Sequence, residues 1–146
     1  MDTPIGLLSL GFSGGYLVYV GTELKNVYIK PSCDIHHRAK NQLQEYFTGI
    51  RKNFELPIHG SGTSFQKRAW SVLCSIPYGS SISYKEQALR MGSPKAQRAV
   101  GGANGKNPLL IVVPCHRVIS SSGDLGGYTA GVHRKAWLLN HESIHR

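Results

Sequence analysis

Acidic residues are scarce in this chain. Eight Asp and Glu stand against 17 Lys and Arg, a formal net charge of +9 over 146 residues. The shortage is uneven: residues 61–146 hold eleven of the basic residues and three of the acids, whereas residues 1–60 hold six and five. That asymmetry points to a polyanion-binding surface on the second part. A generally basic soluble domain is the alternative on charge alone, because charge reports association and not fold. Cysteine is also sparse. Three residues, Cys33, Cys74 and Cys115, argue against a disulfide scaffold and for a reducing, intracellular compartment, cytoplasmic or nuclear. Long hydrophobic runs are missing. The longest aliphatic run, residues 109–113, is far too short to span a bilayer, so no membrane association is expected. The N-terminus has no basic n-region and no cleavage signature, so no signal peptide is expected. With 40% hydrophobic residues, the chain fits a packed globular protein of one ordinary domain or two small ones.

The first stretch reads as strands and tight turns. Residues 5–10 are apolar, Gly14-Gly15 is a turn signal, and residues 16–20 and 26–30 are β-rich. Residues 40–47 carry Leu43, Tyr46 and Phe47 at helical spacing, with Gly49 as the stop. Residues 55–63, with Pro57, Gly60 and Gly62, read as a linker. The expected domains are therefore 1–60, a small α/β unit, and 61–146.

The texture then changes. Ser64 is the expected N-cap of a helix through about Cys74, with Phe65, Ala69, Trp70 and Leu73 on one face. Cys74 reads as part of that apolar face. Ser83 can cap a second helix, with Glu86 completing a capping-box pattern. Ser93-Pro94 opens a third, Ser at the N-cap and Pro at the first helical position, and the helix loosens at Gly101-Gly102. Two short helices around a tight glycine turn make a helix-turn-helix pattern. The second begins with small and basic side chains, as a helix approaching a nucleic-acid backbone requires.

Val113-Pro114-Cys115-His116-Arg117-Val118 carries the chemistry. Proline fixes the backbone before a cysteine that histidine and arginine follow. A thiolate is the competent nucleophile, so a proton acceptor beside it matters. His116 can take the proton directly or through a water, and it needs an orienting acid. Glu142, in a helical pattern with Trp137, Leu138 and Leu139, is the best placed of the three acids after residue 60. An isolated Cys-His pair is more often structural. A helix-turn-helix regulator explains the charge but not the segment 114–118, and a cysteine hydrolase would need an oxyanion site.

The segment Pro114 to Val118 resembles the active-site motif of the O6-alkylguanine-DNA alkyltransferases, the methylated-DNA–protein-cysteine methyltransferases. Ile82-Ser83-Tyr84, Pro94 to Ala103, Asn107-Pro108, Gly127-Tyr128 and Leu138 to Glu142 also fall where that family has signature segments. The likeness is close over residues 63–143 and loose over 1–60, where the family's N-terminal domain looks abbreviated. It implies an α/β fold: a small sheet-and-helix domain, then a mostly helical, winged-helix-like domain with the helix-turn-helix.

The resemblance also implies roles. Cys115 would accept the alkyl group from O6-alkylguanine, and by extension from O4-alkylthymine, in a single irreversible turnover after base flipping. His116 would draw off the thiol proton through a water held with Glu142. Asn107 would sit at the hinge to the recognition helix, and Tyr84 would donate to N3 of guanine. The carbonyls of Cys115 and Val118 would accept from the base's amino group, and the amide of Thr129 would contact O6. Pro114 and Tyr128 would shape the base site. Arg98 would enter the base stack, on a helix whose Lys95, Ala96, Gly101 and Gly102 let it approach the minor groove. The protein would act as a monomer on double-stranded DNA, without cofactor or metal. Leu110 stands where some members carry a second proline. Cys33, His36 and His37 offer three metal ligands without a fourth, and His133, His141 and His145 read as surface residues.

Overall fold

The computed structural model describes residues 1–23 and 34–146. The strand expected at 26–30, and Cys33, lie outside the described residues. The described chain divides into two compact units, residues 1–61 with 108–112, and residues 62–107 with 113–146.

The first unit begins with two two-residue strands, β1 (Asp2–Thr3) and β2 (Gly6–Leu7), paired antiparallel. A longer hairpin follows, β3 (Ser9–Ser13) against β4 (Tyr16–Gly21). Gly14 and Gly15 turn it at φ 56° and 82°, the left-handed pair that a tight two-residue hairpin loop requires. Helix α1 (Asp34–Phe47) buries Ile35, Ala39, Gln42, Leu43 and Tyr46 along one stripe. It starts six residues before the expected segment and stops as expected, at Gly49 in the left-handed region with the Ile50 amide returning to Glu45 O. The Gln42 amide accepts from Glu55 N–H at 2.9 Å and donates to Glu55 O at 3.1 Å, fastening the segment that reads as a linker.

Two short bridges complete this unit on β4. The Leu17 amide donates to Pro57 O and its carbonyl accepts from His59. The Val20 amide donates to Pro108 O and its carbonyl accepts from Leu110. Residues 108–112, within the expected second domain, therefore pack with the first unit, and Leu109 and Ile111 are buried in it. The sequence pattern could not show this, because a five-residue apolar run gives no partner.

The second unit is mainly helical. Helix α2 (Ser64–Cys74) is capped by Thr63, not Ser64: the Thr63 hydroxyl accepts from Gln66 N–H, and the Gln66 side chain returns to Thr63 N–H. Both residues are good caps, but only Thr63 has Gln three residues on to close the reciprocal pair. Ala69, Trp70 and Leu73 are buried as expected, whereas Cys74 is exposed. Strand β5 (Ile82–Ser83) leads into α3 (Tyr84–Arg90), capped by Ser83 as expected.

Helix α4 spans Gln97–Gly105 with Ala96 at its N-cap. The expected start at Ser93-Pro94 is corrected: Ser93 to Ala96 form a turn closed by Ala96 N–H to Ser93 O at 2.9 Å. Proline's fixed φ suits the second position of a turn as well as the first of a helix. The helix also continues through Gly101 and Gly102 rather than loosening there.

A buried amide pair locks α3 to α4. Gln87 Nε2 donates to Asn104 Oδ1 at 2.9 Å, and Asn104 Nδ2 donates to Gln87 Oε1 at 2.8 Å. Trp70 Nε1 donates to Ala103 O at 2.9 Å and ties in α2. Beyond these lie a 3₁₀ turn (Cys115–Arg117), strand β6 (Val118–Ile119) parallel to β5, and α5 (Val132–Ile144). His133 is exposed, but His141 is buried and stacks on the Trp137 ring at 4.7 Å, with the tilted His145 ring 4.4 Å away. None of the described helices is long and apolar enough to cross a membrane.

Candidate active site

The reactive segment is shaped by two one-residue turns. At Ile111 the Val112 amide reaches Leu110 O at 2.8 Å, with φ 74°. A β-branched residue there is strained. At Pro114 (φ −84°, ψ 65°) the Cys115 amide reaches Val113 O at 2.9 Å, the relaxed form of the same turn, which proline's ring favours. Asn107 Nδ2 also donates to Val113 O, at 2.8 Å. Asn107 thus holds the start of the reactive turn from the residue that follows α4 and its cap.

Cys115 is 6% exposed and lines a cavity of about 330 Å³. Tyr84, Gly101, Asn104, Gly105, Gly127, Tyr128 and Thr129 line it too. Burial pushes the Cys115 thiol up to about 11, while a hydrogen bond from Asn107 and the Lys135 charge pull the other way. At neutral pH the resting sulfur is therefore a thiol.

His116 has no exposed surface, and its Nε2 lies 2.6 Å from Glu142 Oε2. Burial tends to raise the Glu142 pKa, but His116 and the Arg117 guanidinium outweigh it and hold the carboxyl far below its usual range. An ionised carboxylate only accepts, so His116 Nε2 carries the hydrogen and Nδ1 is left as the acceptor. Nδ1 has no protein partner. Burial, with the Arg117 and Lys135 charges, lowers the His116 pKa despite the opposing pull of Glu142. The ring is thus neutral and able to receive a proton.

Sequence reasoning placed Glu142 but missed what fixes it. Arg117 Nε and Nη2 donate to its two oxygens at 2.7 and 3.1 Å, and Arg117 Nη1 donates to Ile76 O at 2.7 Å. The Gly79 amide adds a bond at 3.3 Å. Lys135 was missed altogether. It is fully buried, and its Nζ donates to Val118 O at 2.6 Å and Gly127 O at 3.2 Å. The available signal was a charged residue on the apolar face of α5, three residues before Leu138 and seven before Glu142. Gly126 was missed as well. Its φ is +72°, and a side chain there would begin 2.8 Å from Tyr84 Oη, so glycine lets the Tyr84 ring sit where it does.

Of the remaining expected residues, Tyr128 and Thr129 line the cavity, Val118 is fully buried and, like Pro114, is not among the lining residues, and the rest lie on α4 or just before it. The Thr129 hydroxyl donates to Gly105 O at 2.8 Å. The Cys115 carbonyl already accepts from Val118 N–H, and the Val118 carbonyl from Lys135, leaving each one lone pair. Tyr128 Oη is buried without a protein partner. Arg98 is exposed on the first turn of α4, Gly102 is exposed further along, Ala96 caps the helix, and Lys95 lies in the preceding turn. Among the described residues no three His, Cys, Asp or Glu side chains cluster as metal ligands; His36 packs edge-on against Phe12 at 5.3 Å.

The second unit therefore defines a class: a helix-turn-helix protein with a buried cysteine, a carboxylate-backed histidine beside it, and an open cavity in front. A family model described as 6-O-methylguanine DNA methyltransferase, DNA binding domain, matches residues 64–144. A methylated-DNA–protein-cysteine methyltransferase of Mycobacterium bovis is 43% identical over 147 residues, covering 97% of this chain and 89% of that protein. The constitutive one of Bacillus subtilis is 55% identical over 107 residues, covering 73% of this chain and 65% of that protein. Among solved structures, Mycobacterium tuberculosis OGT in complex with DNA matches with a TM-score of 0.91 at 42% identity, over 99% of this chain and 91% of that one. This chain belongs to the methylated-DNA–protein-cysteine methyltransferase family.

Proposed function

We propose that this protein repairs DNA by moving the alkyl group of O6-alkylguanine irreversibly onto Cys115. The observation that carries the reading is the pairing of Cys115, at the wall of the cavity, with a neutral His116 whose tautomer Glu142 sets. His116 Nδ1 takes the thiol proton through a bridging water. The thiolate attacks the alkyl carbon, an S–C bond forms and the C–O6 bond breaks. Guanine leaves with the electron pair and is protonated, Tyr84 donating toward N3. In sum the thiol proton ends on guanine and the alkyl group on sulfur. A thioether has no easy reversal, so the protein acts once. O4-alkylthymine fits the same chemistry.

A cavity of about 330 Å³ falls within the usual range for a small ligand, about 300–1,000 Å³. The base reaches it only by leaving the stack, which is easier for a damaged pair. The exposed small residues of α4 support close approach to the minor groove of duplex DNA, by one protein molecule, with Arg98 filling the space left behind. Asn107 positions the reactive turn, and Pro114, Tyr128, Val118 and the Thr129 amide bound the base site.

The deciding experiment is intact mass after exposure to duplex DNA containing O6-methylguanine. One methyl, on the peptide bearing Cys115, with activity ending at one equivalent, is expected. Sustained turnover, or the methyl on Cys33 or exposed Cys74, would overturn the mechanism.

Arg98 tests flipping separately from chemistry. Extrusion costs a few kcal/mol, and each ~1.4 kcal/mol is tenfold in rate. Arg98→Ala should slow single-turnover repair at saturating duplex by roughly ten- to a thousandfold, while reaction with a free O6-alkylated guanine base stays near wild type. If both rates match wild type and only the salt dependence falls, by about one unit of slope, Arg98 is a phosphate contact.

A further inference from the structure

We propose that Lys135 is the standing counter-charge for the Cys115 thiolate, a cation whose matching anion exists only during transfer. The inference rests on the reading of Cys115 as the alkyl acceptor. Lysine is almost never fully buried unless paired, and Lys135 has no exposed surface. Its Nζ bonds two carbonyls, Val118 O and Gly127 O, which are neutral. The ion pairs among the described residues join Arg51 to Glu45, Arg90 to Glu86, and His116 and Arg117 to Glu142. The Lys135 ammonium therefore stands in a desolvated place without a carboxylate.

Its position gives the reason. Val118 directly follows the turn that carries Cys115, and Gly127 lines the same cavity as the thiol. Nζ is also 5.7 Å from the centre of the Tyr84 ring, on the cavity wall. The titratable groups that face it are Tyr84, through its ring, Cys115, whose charge interacts favourably with it, and His116, which it holds back from protonation. Burial alone draws the Lys135 pKa below its ordinary value, and Cys115 opposes that. A cation unmatched by the neutral thiol becomes matched when His116 removes the proton. In a water-poor site that attraction is stronger than in bulk, and it acts on the thiolate and not on the thiol. When the S–C bond forms and C–O6 breaks, sulfur becomes a neutral thioether and the match is lost. Lys135 is thus a positioning residue: it holds two carbonyls of the base site and sets the potential at sulfur without touching the reacting atoms.

The test needs no DNA. Carbamidomethylation of Cys115 by iodoacetamide is followed by peptide mass from pH 7 to 10 in the full chain. Lys135→Met, similar in length and uncharged, should lower the rate at pH 8 at least tenfold and move the rising limb up by about one pH unit. A folded Lys135→Met with the wild-type rate and limb overturns the proposal, because a purely structural lysine would leave thiol chemistry unchanged. If that variant does not fold, Cys115→Asp and Cys115→Asn decide. A waiting cation makes Cys115→Asp the higher-melting of the two at pH 8, with the advantage lost as the carboxyl protonates in acid. A structural lysine predicts Cys115→Asp to melt lower at pH 8, as a buried carboxylate without a partner. Failure of wild-type protein to take a methyl from DNA would refute the functional reading while leaving these two results to stand.

Discussion

Cys115→Ser should abolish alkyl transfer while duplex affinity stays at the wild-type value. Cys115 lines the cavity and is 6% exposed, so its replacement leaves the outer face of α4, with Arg98, intact. A hydroxyl is harder to ionise than a thiol and a weaker nucleophile toward saturated carbon. His116 is held below its ordinary pKa, and the loss on substitution comes from the oxygen's weaker nucleophilicity toward saturated carbon. The thiol need not be ionised at rest. With Cys115 pushed up to about 11, the proposed transfer to His116 would generate the thiolate only during reaction, and the resting thiol is protected from oxidation between encounters. The check is intact mass after incubation with O6-methylguanine duplex, beside a binding titration. A methyl gained by the Cys115→Ser protein would mean that another residue is the acceptor. Loss of binding together with transfer would mean that the substitution had disturbed the fold.

Glu142→Gln should slow single-turnover transfer by roughly 10²–10⁴, the usual range for lost acid–base assistance. Two effects follow from one atom pair. The amide no longer compels His116 to keep its hydrogen on Nε2, so Nδ1 is no longer assured as acceptor. It also leaves the buried Arg117 guanidinium without its anion, and removing one partner of a buried pair typically costs about 3–5 kcal/mol. The variant should therefore melt lower while its exposed α4 surface still binds duplex. The pH dependence separates the electrostatic loss from general damage. The Glu142 pKa is depressed in the folded protein, so its contribution is fully present above the ordinary carboxylate value of about 4.3. It is lost as pH falls through the folded value. Wild-type stability should fall below about pH 5, and Glu142→Gln should show a shallower acid limb. Thermal melts from pH 3 to 7 measure this. An unchanged transfer rate at pH 7.5 would remove Glu142 from the proton path.

What depends on neighbours along the chain is legible in the residues alone. Gly14-Gly15 specified a two-residue hairpin loop because only glycine adopts that turn freely. Ser83 specified the start of α3, its hydroxyl accepting from Glu86 N–H while the Glu86 carboxylate pairs with Arg90, and the residues around Pro114 and Cys115 marked a turn. Local chemistry also misled where two neighbours offered the same signal, as with Thr63 and Ser64, or where one signal fits two structures, as with Ser93-Pro94.

What depends on residues far apart is visible only once the chain is folded. Arg117 meets Glu142 across 25 residues and Ile76 across 41. Gln87 and Asn104 find each other across 17, as do Lys135 and Val118. Each is a polar group taken out of water, where an unmade bond is costly, so each is fixed by the one partner that packing brings within reach. Composition and periodicity record that a residue is polar, apolar or phased to a face, but not which distant atom will satisfy it. For that reason Cys115, His116 and Glu142 could be proposed from the chain, and the Arg117 and Lys135 contacts around them could not.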